Sequence, residues 1–148
     1  MRPASAPRLA KKRPSLGLER SLPGVVCGVD EVGRGSWAGP LVVCVAVLSS
    51  DVAEGDFVAR DSKSLTETRR EQLFDEVARQ CAAWALGSAT NEECDALGMS
   101  AAQRLATTRA FAELAAQSVQ PDSAVVDGRW NFVSPNVPQV LMQVKADT

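Results

Sequence analysis

The apolar run Val25-Val26-Cys27-Gly28-Val29 ends on two adjacent carboxylates, Asp30 and Glu31, and the chain then turns through Gly33-Arg34-Gly35. Acids at the end of a buried strand are costly unless something positive sits on them. Hard divalent cations take oxygen ligands and are the usual answer. The glycines let backbone approach a ligand closely, and an arginine pairs with phosphate. This stretch asks for a fold that stops a buried strand at a charged edge, and its chemistry points to phosphodiesters.

The composition narrows the mechanism. The 148 residues include no histidine, which removes His general bases, Ser-His-Asp triads and His-ligated zinc. Cys27, Cys44, Cys81 and Cys94 form no C-x-x-C pair, so a zinc site is not expected. They read as reduced thiols of a cytoplasmic protein, two of them small core residues in apolar runs. Hydrophobic residues make up 45% of the chain, enough for one domain with a real core. The N-terminus is basic and proline-rich, without the apolar segment of a secretory signal. The longest apolar run, Leu41–Leu48, is too short to span a bilayer, so no membrane partner is expected.

Charge is distributed unevenly. Residues 1–20 hold six basic residues against Glu19, a balance of +5, while the other 10 basic and 17 acidic residues carry −7. A basic tail on an acidic body suits a polyanion, and equally suits a solvated flexible segment. Residues 1–21 are therefore expected to be a basic flexible tail, and 22–148 the folded domain.

Periodicity predicts strands at 24–32, 41–48, 82–90, 123–126 and 140–145. The short Gly33–Pro40 link predicts an antiparallel hairpin between the first two. Ser64-Leu65-Thr66-Glu67 fits a capping box that opens a helix, with Leu73, Phe74, Val77 and Cys81 on one face. Helices are predicted at 91–97 and 100–118, the second with Ser100 and Gln103 as a further capping box. The order β-β-α-β-α-α-β-β gives a mixed α/β sheet rather than a doubly wound one.

Three strand ends carry acid: Asp30 with Glu31, Asp127, and Asp147. Each alone has a plain structural reading, such as the common Asp-Gly turn at Asp127-Gly128. Together, from distant parts of the chain, they can converge on one sheet edge.

Gly28-Val29-Asp30-Glu31-Val32-Gly33-Arg34-Gly35, followed by Ala38-Gly39-Pro40, closely resembles the opening motif of the type 2 ribonucleases H (ribonuclease HII). Asp61-Ser62-Lys63-Ser64-Leu65 is similar to that family's D-S-K loop, and Val126-Asp127-Gly128 to its third acidic motif. Val144-Lys145-Ala146-Asp147 resembles the fourth, with Ala146 in place of the usual glycine. The resemblance runs from about residue 22 to the last residue.

It implies a ribonuclease H-like mixed five-stranded sheet with flanking helices. It also implies an endonuclease that hydrolyses the RNA strand of RNA–DNA hybrids and cleaves 5′ to ribonucleotides embedded in duplex DNA, leaving 3′-hydroxyl and 5′-phosphate ends. Asp30, Glu31, Asp127 and Asp147 are implied as the catalytic carboxylates, holding two divalent ions, Mn²⁺ or Mg²⁺. Gly33, Arg34 and Gly35 are implied to read the ribonucleotide, whose 2′-hydroxyl distinguishes RNA from DNA. Lys63 is implied to contact backbone phosphate, and is equally a solvated lysine beside a helix start. Asp61 also suits a helix N-terminus. Trp37 reads as structural or partly exposed near substrate, and Arg69 and Arg70 as solvated. A monomer acting on nucleic acid is expected.

The family continues beyond its fourth acid into further helices and carries a tyrosine there. This chain stops at Thr148 and contains no tyrosine. The expectation is an incomplete domain with Asp147 on a frayed end and one sheet face uncovered, hence poorly stable and weakly active or inactive. The alternative function is a non-catalytic, hybrid-binding fragment that keeps the Gly-Arg-Gly contact. A different Mg²⁺ phosphotransferase is disfavoured because no Walker-type loop is present.

Overall fold

Alternating burial in two adjacent runs builds the centre of the fold. The computed structural model describes residues 15–36, 38–53, 55–56 and 62–143. In it β1 (Val26–Val32) and β2 (Leu41–Leu48) pair antiparallel, the hairpin that the short link predicts. Leu41, Val43, Val45 and Val47 of β2 are buried and the residues between them half-buried, the period of two of a pleated strand. The hairpin turn depends on Gly33, at φ +96°, where a Cβ would run into the Pro40 carbonyl oxygen.

β3 (Cys81–Ala89) pairs antiparallel with β2, one residue earlier than the predicted 82–90. β4 (Ser123–Asp127) lies parallel to β1, and β5 (Gln139–Gln143) parallel to β4. The order β3-β2-β1-β4-β5 is the mixed five-stranded sheet expected. The end of the predicted fifth strand, residues 144–145, lies outside the described residues.

The helix starts differ from their expected places. The first, α1 (Gly17–Ser21), falls in the segment expected to be flexible; the buried Leu16 just before it ties the chain down. Residues 1–14 lie outside the described residues. In α2 (Glu67–Gln80) the cap is Thr66, whose hydroxyl accepts from the Arg69 amide at 3.3 Å. Ser64 closes a one-turn 3-10 helix, Ser62–Ser64, instead. Arg70 donates to the Ser62 and Leu65 carbonyls at 3.3 and 2.8 Å, so that turn is tied to the helix it precedes.

A full capping box does occur, at α3 (Asn91–Leu97). Thr90 accepts from the Glu93 amide and the Glu93 carboxylate accepts from the Thr90 amide. Next comes α4 (Met99–Ala116), capped by Gly98 rather than by Ser100. Gln103 cannot serve as a cap there because its side chain is fully buried.

The core forms where α4 crosses β3 and β2. Ala102, Ala106, Ala110 and Leu114, one helical turn apart, are all 0% exposed. The small side chains of Ala106 and Ala110 let helix backbone rest on Gly87 of β3, where an added Cβ would meet the Ala106 carbonyl oxygen and the Ala110 amide. Trp84 and Leu86 point to the opposite face and are exposed. There α2 contributes Phe74, edge-on to Trp84 at 5.9 Å. Of the predicted α2 face, Leu73 is buried and Val77 half-buried, whereas Phe74 is exposed and Cys81 opens β3.

Candidate active site

Asp30 and Glu31 are neighbours in sequence but face opposite sides of the sheet. Asp30 pairs with Cys44 and Glu31 with Val43. Paired residues share a face, so Asp30 sits on the face turned from α4 and Glu31 on the face that α4 covers. The Glu31 amide donates to Asp30 Oδ1 at 2.8 Å, which holds the first carboxylate against the end of the strand.

The parallel pairing of β1 with β4 brings in Asp127. Its register aligns Val29 with Val126, so the next residues, Asp30 two places before the end of β1 and Asp127 at the end of β4, lie side by side and project to the same face. Neighbouring strands lie about 4.8 Å apart. Asp127 in turn pairs with Gln143 of β5, and the Gly128 amide donates to the Gln143 carbonyl at 3.0 Å. Asp147 lies outside the described residues, as do Trp37 and Asp61. Lys63 is exposed on the 3-10 turn before α2.

Gly33-Arg34-Gly35 follows β1 directly, and the Ser36 amide closes the turn on the Gly33 carbonyl at 3.1 Å. Arg34 Nη1 donates to Gln103 Oε1 on α4 at 3.0 Å. Its guanidinium lies 5.8 Å from the Trp130 ring centre, and that of Arg104 lies 4.8 Å from the same ring. Trp130 belongs to the segment between β4 and β5, which is pinned from inside. Phe132, Val133 and Val137 are buried, Asn131 Oδ1 accepts the Val133 and Ser134 amides, and Arg104 donates to the Asn131 and Ser134 carbonyls.

Burial is the largest influence raising the Glu31 pKa, and the Asp30 charge adds to it; Arg34, its own backbone amide and the facing Gln103 amide pull the other way. An acid held up by desolvation and a neighbouring acid is short of positive charge. Among the described residues, no group of three or more His, Cys, Asp or Glu side chains has the geometry of a metal site. The alternation that sends Glu31 to the α4 face accounts for this within β1, and the fourth acid is not described. The donors at this edge are carboxylate oxygens with an arginine beside them, a set that fits hard dications and a phosphate.

Gln103 and Trp130 stand out at this edge and were not singled out from the sequence as site residues. Gln103 does leave a trace: it is a polar residue on the stripe of Ala102, Ala106, Thr107 and Ala110 that faces the sheet. Trp130 leaves none, because its neighbours Arg34 and Arg104 are distant in the chain.

The ribonuclease HII family description matches residues 27–147. Ribonuclease HII of Streptomyces avermitilis is 45% identical over 126 residues, covering 81% of this chain and 52% of that protein. The chain spans about half the length of the curated relatives it matches. In structure, the ribonuclease H2 from Pyrococcus horikoshii OT3 is similar with a TM-score of 0.65 and 28% identity, over 82% of this chain and 63% of that one. Bst-RNase HIII in complex with Mn²⁺ is similar with a TM-score of 0.60, over 97% of this chain and 53% of that one. At 18% identity the second likeness bears on the fold alone, and that fold is the ribonuclease H-like sheet.

Proposed function

Because the chain belongs to the ribonuclease HII family, we infer that it is a metal-dependent endonuclease that hydrolyses the RNA strand of RNA–DNA hybrids. The inference extends to cleavage 5′ to ribonucleotides embedded in duplex DNA, leaving 3′-hydroxyl and 5′-phosphate ends. The observation that carries this reading is the shared edge of β1 and β4, where Asp30 and Asp127 face the same way and the Gly33-Arg34-Gly35 turn begins three residues after Asp30.

In this reading residues 22–148 are the catalytic domain and 1–21 a basic tail. Asp30, Glu31, Asp127 and Asp147 hold two divalent ions, Mn²⁺ or Mg²⁺. Bound there, such ions supply Lewis-acid activation of water and stabilisation of the leaving oxygen. The carboxylates neutralise that charge and orient it at the strand ends. Glycine at 33 and 35 lets backbone groups reach the 2′-hydroxyl, Arg34 takes the neighbouring phosphate as a planar cation, and Lys63 takes a phosphate further along the backbone. The 148 residues supply no histidine base, and in this reading carboxylates and water carry the proton transfer. The protein acts as a cytoplasmic monomer on hybrids or on duplex DNA with embedded ribonucleotides. Among the described residues no helix is long and apolar enough to cross a membrane.

The test is cleavage of a DNA duplex holding one ribonucleotide, with Mg²⁺ or Mn²⁺, beside an Asp30→Asn control. Cleavage on the 5′ side that disappears in the control is the expected result. A folded chain that binds the duplex without cutting it, and whose affinity is kept or raised by Asp30→Asn, would instead establish a binding fragment.

A further inference from the structure

Gln103 holds Arg34, to which the proposed reaction gives the reading of a phosphate. It is 0% exposed, yet its long side chain is polar, in a helix face otherwise made of alanine, threonine, leucine and phenylalanine. Its Oε1 accepts from Arg34, the proposed phosphate reader, at 3.0 Å. Its amide nitrogen is buried and completes no hydrogen bond among the described residues, although the amide lies near enough to Glu31, a proposed metal ligand, to draw that acid's pKa down. Burying a primary amide with half its capacity unmet costs stability, and an apolar residue of the same shape would avoid that cost. Trp130 bounds Arg34 on another side, its indole nitrogen also buried without a partner among the described residues. The indole is fixed in turn by Arg104 at 4.8 Å and Phe132 at 5.8 Å.

We propose that Gln103 is a positioning residue that holds Arg34, with Trp130 as the plate on which Arg34 rests, so that the phosphate beside a ribonucleotide is presented to the carboxylate edge in one register. The proposal rests on the ribonuclease HII reading. The arginine carries several freely rotating bonds on an exposed turn, and unrestrained it would bind any phosphate of the duplex equally. Held by an amide and a ring, it favours the phosphate at one distance from the carboxylate edge. Gln103 and Trp130 thereby convert a general cation into a selective one, without touching substrate themselves.

The experiment compares binding of the chain, in Ca²⁺, to a DNA duplex with one ribonucleotide and to the all-DNA duplex of the same sequence. The variants are Gln103→Met, Arg34→Ala and the two combined. Wild type that shows no preference for the ribonucleotide refutes the ribonuclease reading itself, whatever Gln103 does. Given that preference, Gln103→Met is expected to weaken ribonucleotide-duplex binding roughly tenfold, with all-DNA binding within about twofold. In the Arg34→Ala background it adds nothing, since its effect passes through Arg34. Trp130→Leu carries the same test if Gln103→Met does not fold, and Trp130→Phe restores most of the preference. Preference retained in Gln103→Met, losses that add to those of Arg34→Ala, or both affinities falling together with melting temperature would each overturn the proposal.

Discussion

Replacing Gly87 by alanine adds one methyl group at the place where α4 rests on β3. The new Cβ would lie 3.0 Å from Ala110 Cα, where ordinary contact begins at 3.4 Å, and closer still to the Ala106 carbonyl oxygen and the Ala110 amide nitrogen. None of these atoms is the free end of a side chain. Relief requires the whole helix to lift from the sheet. Overpacking costs about 1–3 kcal/mol where neighbours can give, and here the upper end applies, about 3 kcal/mol. For a chain of this size each kcal/mol is worth about 2–4 °C, so a fall of about 10 °C in melting temperature is expected. Gly28→Ala is the control: it lies in β1, where a Cβ meets no described atom within 4 Å, and should stay within about 0.5 kcal/mol. Urea denaturation followed by circular dichroism measures both. A Gly87→Ala midpoint indistinguishable from the Gly28→Ala one would refute the claim that α4 and β3 touch backbone to backbone. The helix also carries Gln103, so the same variant should loosen Arg34 and reduce ribonucleotide preference alongside stability.

Thr90→Ala removes the hydroxyl that accepts from the Glu93 amide at 3.2 Å and should cost about 1 kcal/mol in the same urea assay. Glu93 is held down to about 2, mainly by its hydrogen bonds from Arg109 at 2.7 Å. A carboxylate with a lowered folded pKa stabilises above its unfolded value of 4.5 and loses that contribution as pH falls toward 2. Wild type should therefore lose more stability than Glu93→Gln between pH 4.5 and 2, and parallel melting curves for the two would contradict this. The pair is a third to nearly half exposed, so added salt should narrow the difference. Cys27 is 0% exposed and burial pushes its thiol up to about 12. Only about one molecule in 10⁴ is thiolate at pH 8. Mass spectrometry after alkylation at that pH should find Cys27 unlabelled until denaturant is added.

Strand positions were legible in the sequence to within two residues. The unbroken apolar, β-branched run Leu41–Leu48, the glycine turn after β1 and the acids at 30, 31 and 127 are local signals, because strand propensity and backbone strain act within a few residues. Helix starts were less legible. Serine, threonine and glycine compete for the cap within two residues of one another, and contacts such as those of Arg70 with the Ser62 and Leu65 carbonyls decide among them. Tertiary packing was needed to place β4 on the side of β1 away from β2, and with it Asp127 on the face that Asp30 occupies. It alone also brought Gln103 and Trp130 to Arg34, across 69 residues of chain in the first case. Strand neighbours and helix crossings are set by the burial of whole faces against one another, a sum over distant residues that no short stretch of sequence contains.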